Sequence, residues 1–434
     1  MTVLQAQRSQ SLERLLGTRD DGKDLDIATG RTTKRTNFEV PLRWSLTLSD
    51  RSSLEQDLNL LPVESPKFDL ARRMLLANLL GAHGGGCQIV FYSRDHNHYA
   101  RVRSYAPPYY RYATVLAAID QLDAAGLIVH RQTRPSPRAK QRSCMWPTQA
   151  LANRLQSINP NDLCLMPPPP VVLRDAHKHP IALPHSARIY CIAKDVEAHN
   201  VFLGQFAIRI SHPNVKCDAW GRIHCGDLHL DGRRTHYFRV FNRSMQLGGR
   251  WFGPYWQNLP QYIRGTITID GEPTVEVDYA TCHLRLLSAR HGIIVDADGV
   301  DPFTLPGHRR SDLKLTFNVL VNASRKLQAR AALLNELRPG YGPETLNRVL
   351  DLIATIQNSF PDLATSWFTG IGRRLQNIDS DICARVQRYL RRQDVPCLSV
   401  HDSFIVPASH QLLLREVMDR EFAAKVQTLL KIAH

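Results

Sequence analysis

The chain has 434 residues, room for roughly two to four domains, and 43% hydrophobic with 22% charged residues is globular rather than disordered composition. Fifty-five Lys and Arg against forty Asp and Glu leave a net charge of +15, a field that favours polyanions, nucleic acid foremost, and disfavours basic partners. No apolar run reaches the roughly 18–20 residues of a membrane helix and Met1 to Lys23 lacks a signal-peptide core, so a soluble, cytoplasmic chain with no membrane partner is expected.

Residues 1–65 mix charges, Thr and Ser with little periodicity and read as a mobile arm. From Pro66, the residues Phe68, Leu70, Met74, Leu75, Leu79 and Leu80 form a helical stripe that the His83-Gly84-Gly85-Gly86 run ends, and Cys87 to Tyr92 reads as a strand. Pro107-Pro108 precedes a second helix with Val115, Ile119 and Leu122 on one face, stopped by Gly126. Leu127-Ile128-Val129 opens a strand, a loop carries Arg131, Arg134, Arg138, Lys140 and Arg142, and Ser143 to Trp146 returns. Helix, strand, helix and basic hairpin over residues 66–156 resemble a winged-helix DNA-binding domain. Arg134, Arg138 and Lys140 at the hairpin tip, and Arg111 beside the candidate recognition helix, are the expected phosphate contacts. The competing reading is a small α+β packing module with a solvated basic loop.

Residues 157–186, with Pro167-Pro168-Pro169-Pro170, have the composition of a stiff linker, and 187–434 form the remaining unit. The nine cysteines include no CxxC pair. Cys217, His224, Cys225 and His229 could ligate zinc, but their irregular spacing favours structural or incidental use.

Thr274 to Leu287 begins as a β-branched strand and passes into a helix. Alternation puts Glu276 and Asp278 on the face opposite Val275 and Val277, so two carboxylates can share one space. A second run, Leu398-Ser399-Val400-His401-Asp402-Ser403-Phe404-Ile405-Val406, is a hairpin with Asp402 at or near its turn. Two aspartates on neighbouring strands repel one another, and a pair of magnesium ions is an economical reason to set them there. Between them, Leu313, Phe317 and Leu320 face inward on a helix whose other side shows Arg310, Lys314, Asn318 and Asn322 at four-residue intervals, a stripe suited to a triphosphate and its sugar.

Together these segments resemble the palm and fingers motifs of family A polymerases, the group of DNA polymerase I and the single-subunit phage-type RNA polymerases. Asp278-Tyr279-Ala280 with Leu284-Arg285 matches motif A, Arg310 and Lys314 match the cations of motif B, and His401-Asp402-Ser403 matches motif C in its RNA-polymerase form. Gly249-Arg250 with following aromatics is similar to a segment ahead of the palm, and Gln376 to a template-side glutamine. The combination also resembles bacterial mobile-element proteins that join such a palm to a winged helix. The resemblance spans about Phe241 to Glu421. It implies an α+β fold with an N-terminal winged helix and a polymerase-like palm and fingers domain. It implies metal ligation by Asp278 and Asp402, with magnesium or substituting manganese, and orientation of the hairpin by His401. Nucleotide contacts would come from Arg310, Lys314, Asn318, Asn322, His283 and Tyr279, and nucleic-acid contacts from Arg250 and Gln376. The partners implied are template-primer DNA, duplex DNA and nucleoside triphosphates.

The chain departs from the family at Asn322-Ala323, where motif B ends in Tyr-Gly, and at His283, where the DNA enzymes carry an acidic gate against ribose. A bulky imidazole crowds the 2′ position, which favours deoxynucleotides and a DNA-directed DNA polymerase over RNA synthesis. The alternatives are a replication initiator or DNA-binding regulator with a degenerate, non-catalytic palm, and a two-metal nuclease, which has no need of the Arg310 to Asn322 stripe.

Overall fold

The computed structural model describes residues 39–49, 65–84, 89–133, 143–219, 221–226, 228–295, 299 and 301–433. It is a mixed α+β chain that divides into two units, Met1–Cys164 and Leu165–His434.

In the first unit, strand β1 (Glu39–Pro41) and the strand β2 (Leu46–Leu48) precede helix α1 (Pro66–Gly84). Strand β3 (Ile89–Tyr92), helices α2 (His96–Val102) and α3 (Tyr112–Ala124), strands β4 (Ile128–Arg131) and β5 (Ser143–Pro147), helix α4 (Gln149–Leu155) and strand β6 (Leu163–Leu165) follow. The sheet order is β1-β3-β5-β4, with β3 and β4 both antiparallel to β5 and β1 parallel to β3. Met74, Leu75, Leu79 and Leu80 of α1 and Val115, Ile119 and Leu122 of α3 are fully buried, because the helical period puts each set on one face. Helix α2 was not anticipated. Its seven residues are too few to show a period, although Asp95 accepts a hydrogen bond from the Asn97 backbone N–H as an N-cap should.

The stretch expected as a linker carries regular structure. Strand β6 pairs with β2, whereas β7 (Val171–Arg174) and β8 (Pro180–Ile181) enter a sheet of the second unit in the order β14-β13-β7-β8. Here β13 is Phe238–Asn242, β14 is Ser244–Phe252, and β7 runs parallel to β13. The prolines lack N–H donors, but the Val171-Val172-Leu173 that follows them is buried strand sequence.

Helix α5 (Ala187–Leu203) ends at its C-cap Gly204, ahead of β9 (Ile208–Ile210). A small sheet of β10 (Lys216–Cys217), β11 (Arg222–Cys225) and β12 (Leu228–Asp231) follows. After the short helix α6 (Gln261–Arg264) come β15 (Ile267–Ile269) and β16 (Glu272–Asp278). Helices α7 (Cys282–Arg290), α8 (Arg310–Asn322), α9 (Lys326–Tyr341), α10 (Thr345–Ser359) and α11 (Gly372–Arg392) lead to strands β17 (Leu398–Val400) and β18 (Ser403–Pro407), and α12 (Gln411–Ala433) closes the unit. The second sheet has the order β17-β18-β16-β15-β9, and its core includes Val277, Phe404, Ile405, Leu320 and Phe422.

Helix α11 packs against β14. A bulge at Gly248-Gly249, both at positive φ, allows it: a Cβ at Gly249 would meet the Phe241 ring at 2.6 Å, and Asn377 Nδ2 donates to Gly248 O at 3.0 Å. Beside it, His199 of α5 is fully buried between the rings of Tyr237 and Trp251, with centroids at 5.6 and 5.7 Å. Among the described residues neither imidazole nitrogen has a well-formed hydrogen bond, and burial pushes its pKa down to about 3.

Candidate active site

Strand β16 ends at Asp278 and pairs antiparallel with β18 in a register that sets Asp278 opposite Ser403. Val277, Phe404, Ile405 and Val406 are buried, so the apolar run of each strand fixes which way its carboxylate must leave the sheet. His401 and Asp402 form the two-residue connection between β17 and β18, His401 at φ 60°, in the left-handed region that a tight hairpin requires. Its ring meets Phe252 edge-on at 5.7 Å, and among the described residues its buried Nδ1 has no hydrogen-bond partner. Burial, then the Arg250 charge, lowers its pKa.

Asp278 and Asp402 therefore stand at adjacent strand ends. Water reaches Asp278 at the sheet edge while protein crowds its other sides, and its pKa is raised to about 6, first by that crowding and then by the Asp402 charge, with Lys314 opposing. Glu276, expected to share this space, is drawn off. Arg264 holds it with Nε at 3.0 Å and Nη2 at 2.9 Å, and Ser403 Oγ donates to it at 2.7 Å. The serine of the hairpin thus ties the two strands together and leaves two aspartates rather than three carboxylates facing outward.

Helix α8 presents the predicted stripe. Leu313, Phe317 and Leu320 are buried, while Arg310, Lys314 and Asn322 are exposed and Asn318 half-buried. Arg310 is held by Asp301 through Nε at 2.6 Å and through Nη2. Asn322 Nδ2 donates to Asn318 O at 2.8 Å.

The chain matches no protein-family model and no curated protein sequence.

Two mutually repelling carboxylates with hard oxygen donors suit magnesium or manganese, which would relieve the repulsion that raises Asp278. Among the described residues no group of three or more His, Cys, Asp or Glu converges on one point, so remaining ligands would come from water or from phosphate.

Other expected contacts lie elsewhere. Tyr279 is buried, packs on Phe422 at 5.0 Å and donates its hydroxyl to Met418 O at 2.9 Å. The residue after Asp278 points to the opposite face, into the core. His283 does not stand alone beside a sugar position. Its Nε2 lies 2.8 Å from Asp379 Oδ2, which also accepts from Arg250 Nη2 at 2.6 Å and Nε at 3.1 Å. Burial acts to lower the Arg250 pKa, but Asp379 and then Asp402 outweigh it and raise the value. Arg250 thus links the candidate metal centre to Asp379, a residue that sequence reasoning missed. Gln376 is half-buried on α11. Arg111 Nη1 donates to the Pro107 and Tyr110 carbonyls, both at 2.9 Å, which ties its guanidinium to the loop before α3. Arg134, Arg138 and Lys140 lie outside the described residues. In the small sheet Cys217 pairs with Ile223, the neighbour of His224, so alternation turns Cys217 away from His224.

Proposed function

We propose that the chain is a template-directed nucleotidyl transferase, most simply a DNA polymerase using deoxynucleoside triphosphates, in which Asp278 and Asp402 ligate two magnesium ions. One observation carries this reading: Asp278 and Asp402 share adjacent strand ends, with the Lys314 charge acting on Asp278 from α8. Such ions, when bound, activate a primer 3′-hydroxyl and neutralise charge on the departing pyrophosphate. Asp278 and Asp402 supply the carboxylate ligands, and the left-handed turn at His401 fixes where Asp402 stands. Lys314 offers a compact charge to a phosphate, and Arg310, once released from Asp301, a forked one. The order helix, strand, two helices and hairpin in the first unit supports a winged-helix DNA-binding reading for residues 66–156.

The engagement of Arg310 by Asp301 favours a second reading, a DNA-binding initiator or regulator whose palm no longer catalyses. Primer extension with all deoxynucleoside and ribonucleoside triphosphates and magnesium decides between them. The wild type should extend, and Asp402→Asn should lose extension while binding duplex normally. Undiminished extension by Asp402→Asn, or none by the wild type, rejects the catalytic reading.

A further inference from the structure

Helix α9 carries Lys326, Arg330, Leu334 and Arg338 at four-residue intervals, a slowly winding stripe about 18 Å long at 1.5 Å per residue. Ala329, Leu333 and Leu337 face the core, which leaves the stripe on the flank of the helix. Arg373 and Arg374, both exposed on the first turn of α11, extend it at its start. The starts of the two helices meet at the end of α8: Gly370 N–H donates to Ala323 O at 2.9 Å, and the Asn322 side chain packs on Gly372. Arg325 and Lys326 follow directly from that junction. Among the described residues, no carboxylate pairs with Arg325, Lys326, Arg330, Arg338, Arg373 or Arg374. Glu336 is exposed on α9, but two positions on from Leu334 it points to another side. At the far end, Arg330 and Arg338 border an open cavity of about 500 Å³ whose other walls include Leu334, Pro343 and Leu346.

We propose that this track binds one single strand of nucleic acid, its phosphates along Arg373, Arg374, Lys326, Arg330 and Arg338 and an unstacked base in the cavity. The proposal deepens the reading of the chain as an enzyme of nucleic acid. A row of cations one side chain wide follows a single backbone, and an apolar cavity beside it receives a base that a duplex would keep stacked inside. An acidic protein segment would use the charges but not the cavity.

The test is fluorescence anisotropy of a labelled oligothymidylate with the full chain, as wild type, as the triple variant Lys326→Gln, Arg330→Gln, Arg338→Gln, and as Leu334→Ala. The three cations are surface groups, and thermal melting verifies that each variant folds. The triple variant should bind at least tenfold more weakly, with the slope of log affinity against log salt reduced by about 2, near 0.7 for each single-strand phosphate left without its cation. Leu334→Ala, which removes an apolar wall of the cavity and adds no charge, should weaken binding without reducing that slope. An unchanged slope in the triple variant overturns the proposal, as does equal loss of hairpin-duplex binding, or loss of polyglutamate binding with the oligonucleotide unaffected. Asp402→Asn separates the two ideas. Loss of oligothymidylate affinity in the triple variant of a chain that never extends primers keeps the track and discards the polymerase. Extension abolished by Asp402→Asn with the triple variant binding normally does the reverse.

Discussion

Acid should loosen the second unit through His199. Its imidazole is fully buried against Tyr237 and Trp251, with Arg391 and Asp195 as nearby charges that act in opposite directions and the Cys397 backbone giving slight support to the charged form. The folded pKa of about 3 lies below the ordinary histidine value of 6.5, so the unfolded chain takes the proton first. Stability from this group is complete above pH 6.5 and is lost as pH falls toward 3. Between pH 7 and pH 5 the loss is about 2 kcal/mol from the pKa difference alone. Asp278 titrates in the same window with the opposite sign: its pKa is raised to about 6, so folding is disfavoured above that value and relieved below it. The comparison therefore belongs in an Asp278→Asn background without metal. Urea unfolding at pH 7 and pH 5, followed by tryptophan fluorescence, should show a drop about 2 kcal/mol larger with His199 present than in His199→Phe, whatever the absolute stability of that variant. The same drop in both proteins refutes the argument.

Two further substitutions probe the surroundings of the candidate centre. Asp379→Asn takes the negative charge from the mostly buried group it forms with Arg250 and His283 and should cost about 3 kcal/mol by chemical denaturation, with much less further loss when Arg250→Met is added. Tyr279→Phe removes the bond to Met418 O and should cost about 1 kcal/mol while leaving the choice between deoxy- and ribonucleotides unchanged, as measured by competitive incorporation.

The carboxylate pair was legible because Asp278 ends the run of Val275 and Val277, whose alternation fixes its face, and Asp402 interrupts two apolar runs, Leu398 to Val400 and Phe404 to Val406, as a turn residue does. Helix α8 was legible for the same reason, at period 3.6. Asp379 was not. An acidic residue within an amphipathic helix reads as solvated, and its burial depends on Arg250, 129 residues away, which the Gly248-Gly249 bulge aims at it. Glu276 was placed on the right face but not paired, since Arg264 approaches from a separate helix. The strands hidden behind the prolines were lost because β7 finds its partner β13 far downstream, and composition carries no record of that pairing.

The register of β16 with β18 also sets a clock on synthesis. Ser403 bonds to Glu276 across 127 residues, so a nascent chain holding Asp278 waits roughly 6 to 25 s at 5–20 residues per second before the strand that brings Asp402 exists. Until then β16 has an open edge on the side that β18 later covers, and a ribosome that stalls within α11 leaves that edge available to other chains. Helpers that shield unpaired strands should therefore matter most for nascent chains of this length, late in translation.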